Sequence, residues 1–290
     1  MKKEIIEAEI VRNTEIAKGV YQMTILCGDV LSAANPGQFI NLYLNDKSML
    51  LPRPFSLCRK EQEKAVVVYR VTGRGTCELS GYGKGDRLRI SPPLGRGYDL
   101  EAVFRELKER LAVDPPSGAP TIALVAGGLG VPPLLGLAET LRKEIFTFEI
   151  NRENGHWSQP GIQLIAVLGF REEPFLVEDL RQYCDEVLVA TEKGTEGLRG
   201  SVLDLLIKEG VVADYYLACG PKLMLKALSG LCAGLRRPLQ VSLGERMGCG
   251  YGACVGCTCK TKEKDSGLIQ RKKVCLDGPV FLGEEVVWDE

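Results

Sequence analysis

The stretch that decides the fold lies at residues 121–138 and reads TIALVAGGLGVPPLLGLA. It carries no charged residue, and its length of about 18 mostly apolar residues raises the question of a membrane span. Glycines and prolines stand in its middle, where a spanning helix needs continuous backbone pairing, at Gly127, Gly128, Gly130, Pro132 and Pro133. The stretch therefore predicts a buried strand, a glycine turn and the start of a helix, as at the opening of an α/β domain.

Toward the C-terminus, strand patterns continue to alternate with helix patterns. The predicted strands are Thr121–Ala126, Ile162–Leu168, Glu186–Thr191 and Asp214–Cys219, and the predicted helices are Leu134–Arg142, Pro174–Tyr183, Ser201–Lys208 and Pro221–Leu235. This alternation is typical of a doubly wound parallel sheet, which we place at residues 119–238. The polar run Asn151–Pro160 is expected to be a surface loop inserted in that domain.

Toward the N-terminus, residues 1–100 read as short β segments separated by turn signals. These segments are Glu4–Val11, Val20–Leu26, Phe39–Leu44, Ala65–Val71 and Arg87–Ile90. Many short strands at regular spacing favour a small antiparallel β-barrel. A helix is expected over Leu100–Leu111, with a linker at Asp114–Gly118 after it. The predicted fold class is thus multidomain, β plus α/β, with a C-terminal cysteine module at residues 239–290.

The composition is that of a globular protein, since 45% of the 290 residues are hydrophobic and 26% are charged. A net charge of −1 gives no electrostatic reason to bind nucleic acid. The single histidine, His156, excludes metal sites that need several histidines. Glu4, Glu7 and Glu9 interrupt any apolar export signal. We therefore expect a cytoplasmic protein, not bound to a membrane, whose eleven cysteines are thiols or metal ligands.

The C-terminal module contains the strongest motif of the chain. Cys249, Cys254 and Cys257 form C-x4-C-x2-C, and Cys275 follows later. This is the plant-type spacing of a [2Fe–2S] cluster, for which a glycine-rich loop supplies three thiolates and a distant residue the fourth. A four-cysteine zinc site is the alternative, because it also uses thiolates alone. A cluster moves single electrons, so a flavin that converts between one- and two-electron steps is expected beside it.

Weaker motifs are spread over the two preceding domains. In the predicted barrel they are Arg53-Pro54-Phe55-Ser56, Tyr69-Arg70-Val71 and the glycine turn Gly73-x-Gly75-Thr76. An arginine can clamp a pyrophosphate and an aromatic ring can stack on a flavin, although an ordinary strand and hairpin would look the same. In the α/β domain, the glycines at 127, 128 and 130 and the turn Cys219-Gly220 follow predicted strands, where such folds bind nucleotides.

Taken in order, Arg-x-Phe-Ser, Gly-x-Gly-Thr, Gly-Gly-x-Gly-x-Pro and Cys-Gly-Pro-x-x-Met resemble the ferredoxin–NAD(P)+ reductase superfamily over nearly the whole chain. The added cysteine module, which ends with Lys273–Phe281, is similar to one branch of it, the electron transfer subunits of NAD-dependent dihydroorotate dehydrogenases. A sister branch, the flavoprotein subunits of NAD(P)H-dependent ferredoxin or sulfide oxidoreductases, uses the same cofactors. A zinc-binding interaction module is the alternative from a different class.

The resemblance implies a role for each motif. FAD would be held by Arg53, Pro54, Phe55, Ser56, Tyr69, Arg70, Val71, Gly75 and Thr76; NAD by Gly127, Gly128, Gly130, Cys219 and Gly220; and the cluster by Cys249, Cys254, Cys257 and Cys275. It further implies a flavin-bearing catalytic subunit as partner in a hetero-oligomer, with electrons passing through cluster and FAD to NAD+ in pyrimidine (UMP) biosynthesis. No catalytic acid or base is expected in this chain. Cys259 is expected to be a spectator, and Trp288 is assigned no role at the flavin.

Two charged segments carry further expectations. The run Gly169–Glu173 follows the second α/β strand, where the adenosine ribose of a dinucleotide should lie. There Glu172 and Glu173 would repel a 2′-phosphate, which favours NAD over NADP even though Arg171 could pair with it. The module also has a basic run, either a solvated face or a docking surface for the catalytic subunit, made of Lys260, Lys262, Lys264, Arg271, Lys272 and Lys273.

Overall fold

The computed structural model describes residues 4–113, 118–153, 161–264 and 266–289. Contacts divide the chain into two compact units, each built from segments that are distant in sequence. The first unit comprises Met1–Gly97, Ser242–Phe281 and Glu285–Glu290, and the second comprises Tyr98–Val241 and Leu282–Glu284. The first therefore contains the N-terminal β segments together with the cysteine module. The three residue ranges predicted for domains stay a prediction.

The first unit is built on a closed antiparallel barrel of six strands in the order β1-β2-β5-β4-β3-β6. The strands are β1 (Ile6–Ala17), β2 (Val20–Leu26), β3 (Phe39–Tyr43), β4 (Arg53–Glu61), β5 (Lys64–Arg70) and β6 (Arg87–Ile90). Lys18 and Gly19 turn the chain between β1 and β2, and Gly19 adopts a φ of 69° that suits such a two-residue turn. The expected antiparallel barrel is confirmed.

One face of each strand is apolar and fills the barrel. Its fully buried side chains include Ile10, Met23, Ile25, Ile40, Leu42, Val67, Leu88 and Ile90. Helix α1 (Arg74–Ser80) adds Leu79, which is also fully buried. The first strand runs six residues beyond the predicted Glu4–Val11, because it pairs with β6 through Ile6–Glu9 and then with β2 as far as Ala17.

The second unit is an α/β domain, as expected. Its elements are α2 (Leu100–Val113), β7 (Thr121–Gly127), α3 (Val131–Glu153), β8 (Gln163–Phe170), α4 (Val177–Arg181), β9 (Glu186–Thr191), β10 (Leu198–Arg199), α5 (Val202–Lys208), β11 (Tyr215–Cys219), α6 (Lys222–Leu235) and β12 (Leu239–Ser242). With β15 (Val280–Leu282) they form a seven-stranded sheet in the order β10-β9-β8-β7-β11-β12-β15. The pairs β7/β8, β8/β9, β9/β10 and β7/β11 are parallel.

Strand β7, the first part of the uncharged stretch at residues 121–138, lies in the middle of this sheet. All seven residues of β7 are buried, between β8 on one side and β11 on the other. Strands covered on both faces are apolar throughout, which explains the resemblance to a membrane span. In the described part of the chain, no helix has the length and apolar character needed to cross a membrane.

Helix α3 is longer than the sequence pattern predicts. It begins at Val131 rather than Leu134, since Pro132 and Pro133 fall in the first turn, where a missing N–H is tolerated. It continues to Glu153 instead of ending at Arg142, so Asn151–Glu153 are helical and not part of a loop. No glycine or proline interrupts residues 137–153, and the segment therefore has no signal to stop. The rest of the predicted loop, residues 154–160, and the linker residues 114–117 lie outside the described residues.

The cysteine module combines an irregular loop with a hairpin. Residues 244–257 form the loop, and β13 (Thr258–Lys262) and β14 (Ile269–Lys273) pair antiparallel after it. The C-terminal segment borders β13, because Lys262 N–H donates to Glu285 O at 2.7 Å and Val287 N–H donates to Lys260 O at 3.0 Å. The hairpin thus carries Cys275 back to the loop that holds the other motif cysteines.

Candidate cofactor sites

Hydrogen bonds connect the four motif cysteines in two pairs. The N–H of Cys254 donates to Cys249 Sγ at 3.4 Å, and the N–H of Cys275 donates to Cys257 Sγ at 3.4 Å. The N–H of Gly252 reaches Cys275 Sγ at 3.1 Å and so joins the loop to the distant fourth cysteine. None of the eleven cysteines forms a disulfide. The loop therefore lies beside Cys275, and the assignment of the four cysteines as cluster ligands stays a prediction.

Backbone N–H groups surround the sulfurs of this loop. Cys249 Sγ accepts a second bond, from the N–H of Tyr251 at 3.3 Å. Burial tends to raise the pKa of Cys249, but the N–H groups of Cys254 and Tyr251 outweigh that effect and lower it to about 6. Cys275 behaves oppositely, since burial and the neighbouring Cys257 raise its pKa. Thiolate sulfurs held by N–H donors are the environment that an iron–sulfur cluster requires.

The four motif cysteines supply the thiol donors that suit a [2Fe–2S] cluster. Within residues 4–113, 118–153, 161–264 and 266–289, no three His, Cys, Asp or Glu side chains form a group that could hold one metal ion. The fit to [2Fe–2S] rests on four thiols at plant-type spacing and on N–H···S bonds to three of them. Cys259 lies on β13, opposite Lys272 of β14.

The first flavin motif forms the start of β4. Arg53, Pro54, Phe55 and Ser56 are all half-buried, and Phe55 packs against the barrel core. The guanidinium of Arg53 donates to Leu51 O at 2.6 Å and packs on Gly75. A Cβ at Gly75 would lie 2.3 Å from Arg53 Nε, so a larger residue there would displace the guanidinium from this position. The fold thus joins two motifs that the sequence could only align in order.

The turn predicted at Gly73–Thr76 is instead the start of helix α1. The hydroxyl of Thr76 accepts the N–H groups of Thr72 at 2.9 Å and Gly73 at 3.1 Å, and these bonds cap the helix. Thr76 is therefore engaged by its own helix start, although Gly75 remains against Arg53. The segment therefore starts a helix and does not form a hairpin turn, and its role at the flavin stays a prediction.

The structure places Tyr69 differently from the prediction that it lines the flavin. Its side chain is only 1% exposed and lies in the barrel core, with its ring 5.8 Å from that of Tyr21 and 5.5 Å from that of Phe55. The hydroxyl donates to Asn13 Oδ1 at 3.1 Å, and burial raises the pKa of Tyr69 to about 12. Successive residues of a strand face opposite sides, so Tyr69 points inward and the neighbouring Arg70 is exposed.

The two nucleotide motifs meet at the carboxyl edge of the parallel sheet. Strands β7 and β11 are neighbours in register, with Ala126 beside Cys219. A Cβ at Gly130 would lie 2.0 Å from Cys219 O, and one at Gly220 would lie 3.0 Å from Gly127 N. Gly127 itself packs on Met224 and Pro221. These three glycines therefore let the two turns pack against each other.

Gly128 differs from its neighbours. It has a φ of 53°, and a Cβ built there would meet nothing within 4 Å. The start of α3 follows directly at Val131, so the open side of this turn lies at the N-terminus of a 23-residue helix. Such a position suits a phosphate, because backbone N–H groups and the helix dipole favour negative charge. Among the predicted glycines, Gly128 is the one whose missing side chain leaves space for a ligand.

The charges after β8 are partly neutralised by neighbours. Arg171 Nε lies 3.8 Å from Glu192 Oε2, and Lys193 Nζ lies 2.6 Å from Glu172 Oε1. All four side chains are more than half exposed. Arg171, which could attract a 2′-phosphate, and Glu172, which would repel it, are thus each paired with a residue of the loop after β9.

Three residues that were not among the predicted cofactor ligands contact the cysteine loop. Asn41 and Tyr43 of β3 contact the cysteine loop at Cys249 and Tyr251, and Lys273 Nζ donates to Gly252 O at 2.6 Å. Lys273 is therefore part of the loop's support rather than only of a basic run. The one available signal was Asn41 itself, an amide inside the otherwise apolar strand sequence Phe39-Ile-Asn-Leu-Tyr43.

A reductase-type barrel, a parallel α/β domain with a glycine turn and a four-cysteine loop together define an iron–sulfur flavoprotein reductase. The family model described as the iron–sulfur cluster binding domain of dihydroorotate dehydrogenase B matches residues 244–287. Among solved structures, an NADH-dependent reduced ferredoxin-NADP oxidoreductase is 28% identical, with a TM-score of 0.75 over 97% of this chain and 90% of that one. A ferredoxin NADP+ reductase from Neisseria gonorrhoeae, 14% identical, shares the fold with a TM-score of 0.58 over 80% of this chain and 92% of its own.

Curated relatives are more similar still. The electron transfer subunit of dihydroorotate dehydrogenase B (NAD(+)) from Geobacillus thermodenitrificans is 37% identical over 96% of both chains. The same subunit from Caldanaerobacter subterraneus is 36% identical over 98% of both chains. This chain belongs to the family of dihydroorotate dehydrogenase B (NAD(+)) electron transfer subunits.

Proposed function

We propose that this protein is the electron transfer subunit of an NAD-dependent dihydroorotate dehydrogenase, working in pyrimidine (UMP) biosynthesis. The observation that carries the proposal is the four-cysteine loop with its N–H···S bonds, built into the same compact unit as the flavin motif. When bound, a [2Fe–2S] cluster and FAD convert between one- and two-electron transfer and so connect a partner's flavin to NAD+. The protein's own task is to hold these groups and set their surroundings.

We assign the cluster to Cys249, Cys254, Cys257 and Cys275. The FAD site is assigned to the half-buried residues Arg53–Ser56 of β4, the exposed Arg70, its neighbour Val71, and Gly75 and Thr76 at the start of α1. The backbone of Tyr69 can contribute, but its ring belongs to the core. An arginine next to a glycine-lined backbone is suited to a pyrophosphate, because its planar fork binds two oxygens at once.

For NAD, we assign Gly128 to direct contact with the dinucleotide. Gly127, Gly130, Cys219 and Gly220 shape the turns on either side of that site, as their close packing indicates. The carboxyl edge of a parallel sheet, where the turns after neighbouring strands meet, is the usual nucleotide site of such folds. We also place the protein in the cytoplasm, because its many thiols suit a reducing compartment.

We further propose that the cysteine module docks on a dihydroorotate dehydrogenase catalytic subunit, forming a hetero-oligomer. Lys260 and Arg271 lie directly opposite each other in the hairpin, with Lys262 on the same face. These three side chains give the face positive charge, which suits an acidic partner surface. Exposed apolar side chains flank the cysteines of the loop at Tyr251, Val255 and Leu276, and such patches are typical of interaction sites.

Reconstitution tests the proposed function. The isolated protein, loaded with FAD and iron, is expected to reduce artificial acceptors with NADH but to show no dihydroorotate:NAD+ activity. Adding the catalytic subunit should restore that activity, because the chain has no assigned acid or base for a dihydropyrimidine. Turnover of dihydroorotate by this polypeptide alone would contradict the proposal.

The solved oxidoreductase at 28% identity supports a second candidate, a flavoprotein subunit of an NAD(P)H-dependent ferredoxin or sulfide oxidoreductase. The two candidates differ in the partner that accepts or donates electrons. Activity with ferredoxin or polysulfide in place of the dihydroorotate dehydrogenase catalytic subunit would favour the second.

A further inference from the structure

Asn41 is a buried amide that reaches from the barrel to the cysteine loop. It lies on β3, where its partner in the neighbouring strand β4 is Pro54 of the flavin motif. Its side chain is 0% exposed, and Nδ2 donates to the carbonyl oxygen of Cys249 at 3.0 Å. One short side chain therefore links the backbone of a proposed cluster ligand to the strand that pairs with the flavin motif.

A second contact repeats this link two residues further along. Tyr43 lies on the same face of β3 as Asn41, since side chains two residues apart in a strand share a face. Its hydroxyl hydrogen-bonds to the hydroxyl of Tyr251, and the guanidinium carbon of Arg89 lies 5.4 Å from the centre of its ring. The pairs Asn41–Cys249 and Tyr43–Tyr251 advance in step along strand and loop. We call these four residues the latch.

The loop backbone lies directly on the Asn41 amide. Gly250 has a φ of 74°, and a Cβ there would be 2.6 Å from Asn41 Nδ2 and 2.8 Å from Oδ1. The loop can make this approach only because the residue between the two latch contacts is glycine. The latch is therefore built from both sides, by the amide on β3 and by the glycine in the loop.

Asn41 is also fixed at its own backbone, and one of its atoms has no partner. Ser91, buried directly after β6, accepts the N–H of Asn41 with its hydroxyl at 2.9 Å and donates its own N–H to Asn41 O at 3.0 Å. The Oδ1 atom is buried and makes no hydrogen bond to any described residue. An unsatisfied buried acceptor is unfavourable, so an apolar residue would suit a purely structural position better.

We infer that Asn41 is a positioning residue of electron transfer: with Tyr43 and Tyr251 it holds the cysteine loop so that the reduction potential of the cluster and the rate of its exchange with FAD are set. The inference rests on the proposed function, which places the cluster on Cys249. The physical link is the N–H of Tyr251, which donates to Cys249 Sγ at 3.3 Å while its side chain is held by Tyr43. Hydrogen bonds to cluster sulfurs raise the reduction potential, so releasing the loop should lower it.

The test compares Asn41→Leu with the wild-type chain, both loaded with FAD and cluster and assembled with the catalytic subunit. Leucine has nearly the same size and shape as asparagine but lacks the N–H donor to the carbonyl oxygen of Cys249. Two quantities are measured: the cluster midpoint potential by electron paramagnetic resonance titration, and the separate rates at which NADH reduces FAD and then the cluster. Tyr251→Phe is the second variant, since it removes one exposed hydroxyl and leaves packing intact. Asn45→Ala is the control, because its amide donates to Arg87 O instead of the loop.

We expect Asn41→Leu to make the cluster potential more negative and to slow cluster reduction about tenfold, with FAD reduction by NADH unchanged. Tyr251→Phe should act in the same direction with a smaller effect, and Asn45→Ala should match the wild type. If Asn41→Leu does not fold, Tyr251→Phe decides alone. The inference would be overturned if Asn41→Leu and Tyr251→Phe kept the wild-type cluster potential and rate of cluster reduction. It would also be overturned if FAD reduction slowed as much as cluster reduction and the melting temperature fell, because that pattern indicates a general loss of structure. A wild-type chain that takes up no cluster would instead contradict the proposed function.

Discussion

At the scale of single residues, glycine decides how closely separate segments approach. Gly130 and Gly220 allow the turns after β7 and β11 to pack, and Gly75 allows helix α1 to lie on Arg53. Each position would bring a Cβ to 3.0 Å or less from a neighbouring atom, which real side chains essentially never show. These glycines act by shape, whereas Gly128 leaves open space.

Gly130→Ala should therefore disrupt the nucleotide site from within. Its Cβ would lie 2.0 Å from Cys219 O, and such overpacking costs roughly 1–3 kcal/mol or more. We expect a lower melting temperature and a raised KM for NADH. Gly230→Ala is the matched control, because this exposed position in α6 has nothing within 4 Å and alanine favours a helix by about 1 kcal/mol. An unchanged KM in Gly130→Ala would show that the turn does not depend on this contact.

The fifth cysteine provides a second prediction at this scale. Cys275 lies within N–H···S reach of Gly252 and accepts its bond at 3.1 Å, whereas Cys259 sits on β13. Cys275→Ser should abolish the paramagnetic signal of the reduced cluster and lower bound iron. Cys259→Ser should retain both, with at most a small loss of stability. The reverse pattern would show that the fourth ligand has been assigned to the wrong residue.

At the scale of elements, the hairpin β13–β14 combines structural and interacting charges. Lys273 supports the loop through Gly252 O, and Lys272 Nζ lies 3.8 Å from Glu285 Oε2. Lys262 and Arg271 are exposed on the outward face. The basic run predicted from the sequence is therefore not one uniform surface, because some of its members hold the module together.

Reversing only the outward charges should weaken docking without harming the cofactor sites. For Lys262→Glu with Arg271→Glu, we expect at least about tenfold weaker binding to the catalytic subunit at low salt, and less salt dependence. NADH-dependent reduction of ferricyanide should be unchanged. Lys64→Glu with Lys84→Glu, two exposed lysines of the barrel unit, serves as the control for total charge. Equal effects of the two pairs on binding would argue against a docking face on the hairpin.

At the scale of the whole molecule, the C-terminal segment passes from the first compact unit into the second and back again. Residues Leu282–Glu284 belong to the second unit, where Gly283 N–H donates to Leu239 O at 2.8 Å and Ser229 Oγ donates to Gly283 O at 3.0 Å. Residues from Glu285 onward rejoin the first unit and border β13. A short terminal segment thus contributes to both compact units.

Truncation after Phe281 should therefore loosen both. It removes the two bonds at Gly283 and those between residues 285–287 and β13, each worth about 0.5–1.5 kcal/mol. We expect a lower melting temperature and faster loss of the cluster during exposure to a chelator. Cluster loss is measured as the decay of its visible absorbance. Truncation after Val287 keeps these bonds and should behave as the full chain does. Equal cluster loss in the two truncations would contradict this account of the segment.

The sequence by itself determined the class of protein, because the informative patterns are local. Cysteine spacing reports which thiols one loop can present, and the alternation of strand and helix patterns reports a parallel sheet. The parallel sheet and most element positions are confirmed, whereas the set of cluster ligands stays a prediction. Prolines at the start of α3 and the absence of a stop signal after it explain why that helix was predicted too short.

Only the tertiary structure decided which motif residues are exposed and which are buried in the core. Tyr69 and Arg70 are adjacent in one motif, yet the closure of the barrel buries the first and exposes the second. The bond between Asn41 and Cys249 joins residues 208 positions apart, and no local pattern encodes such a distance. Spacing and composition specify backbone shape and donor chemistry over a few residues. Contacts between distant segments depend on packing, which exists only when the whole chain has folded.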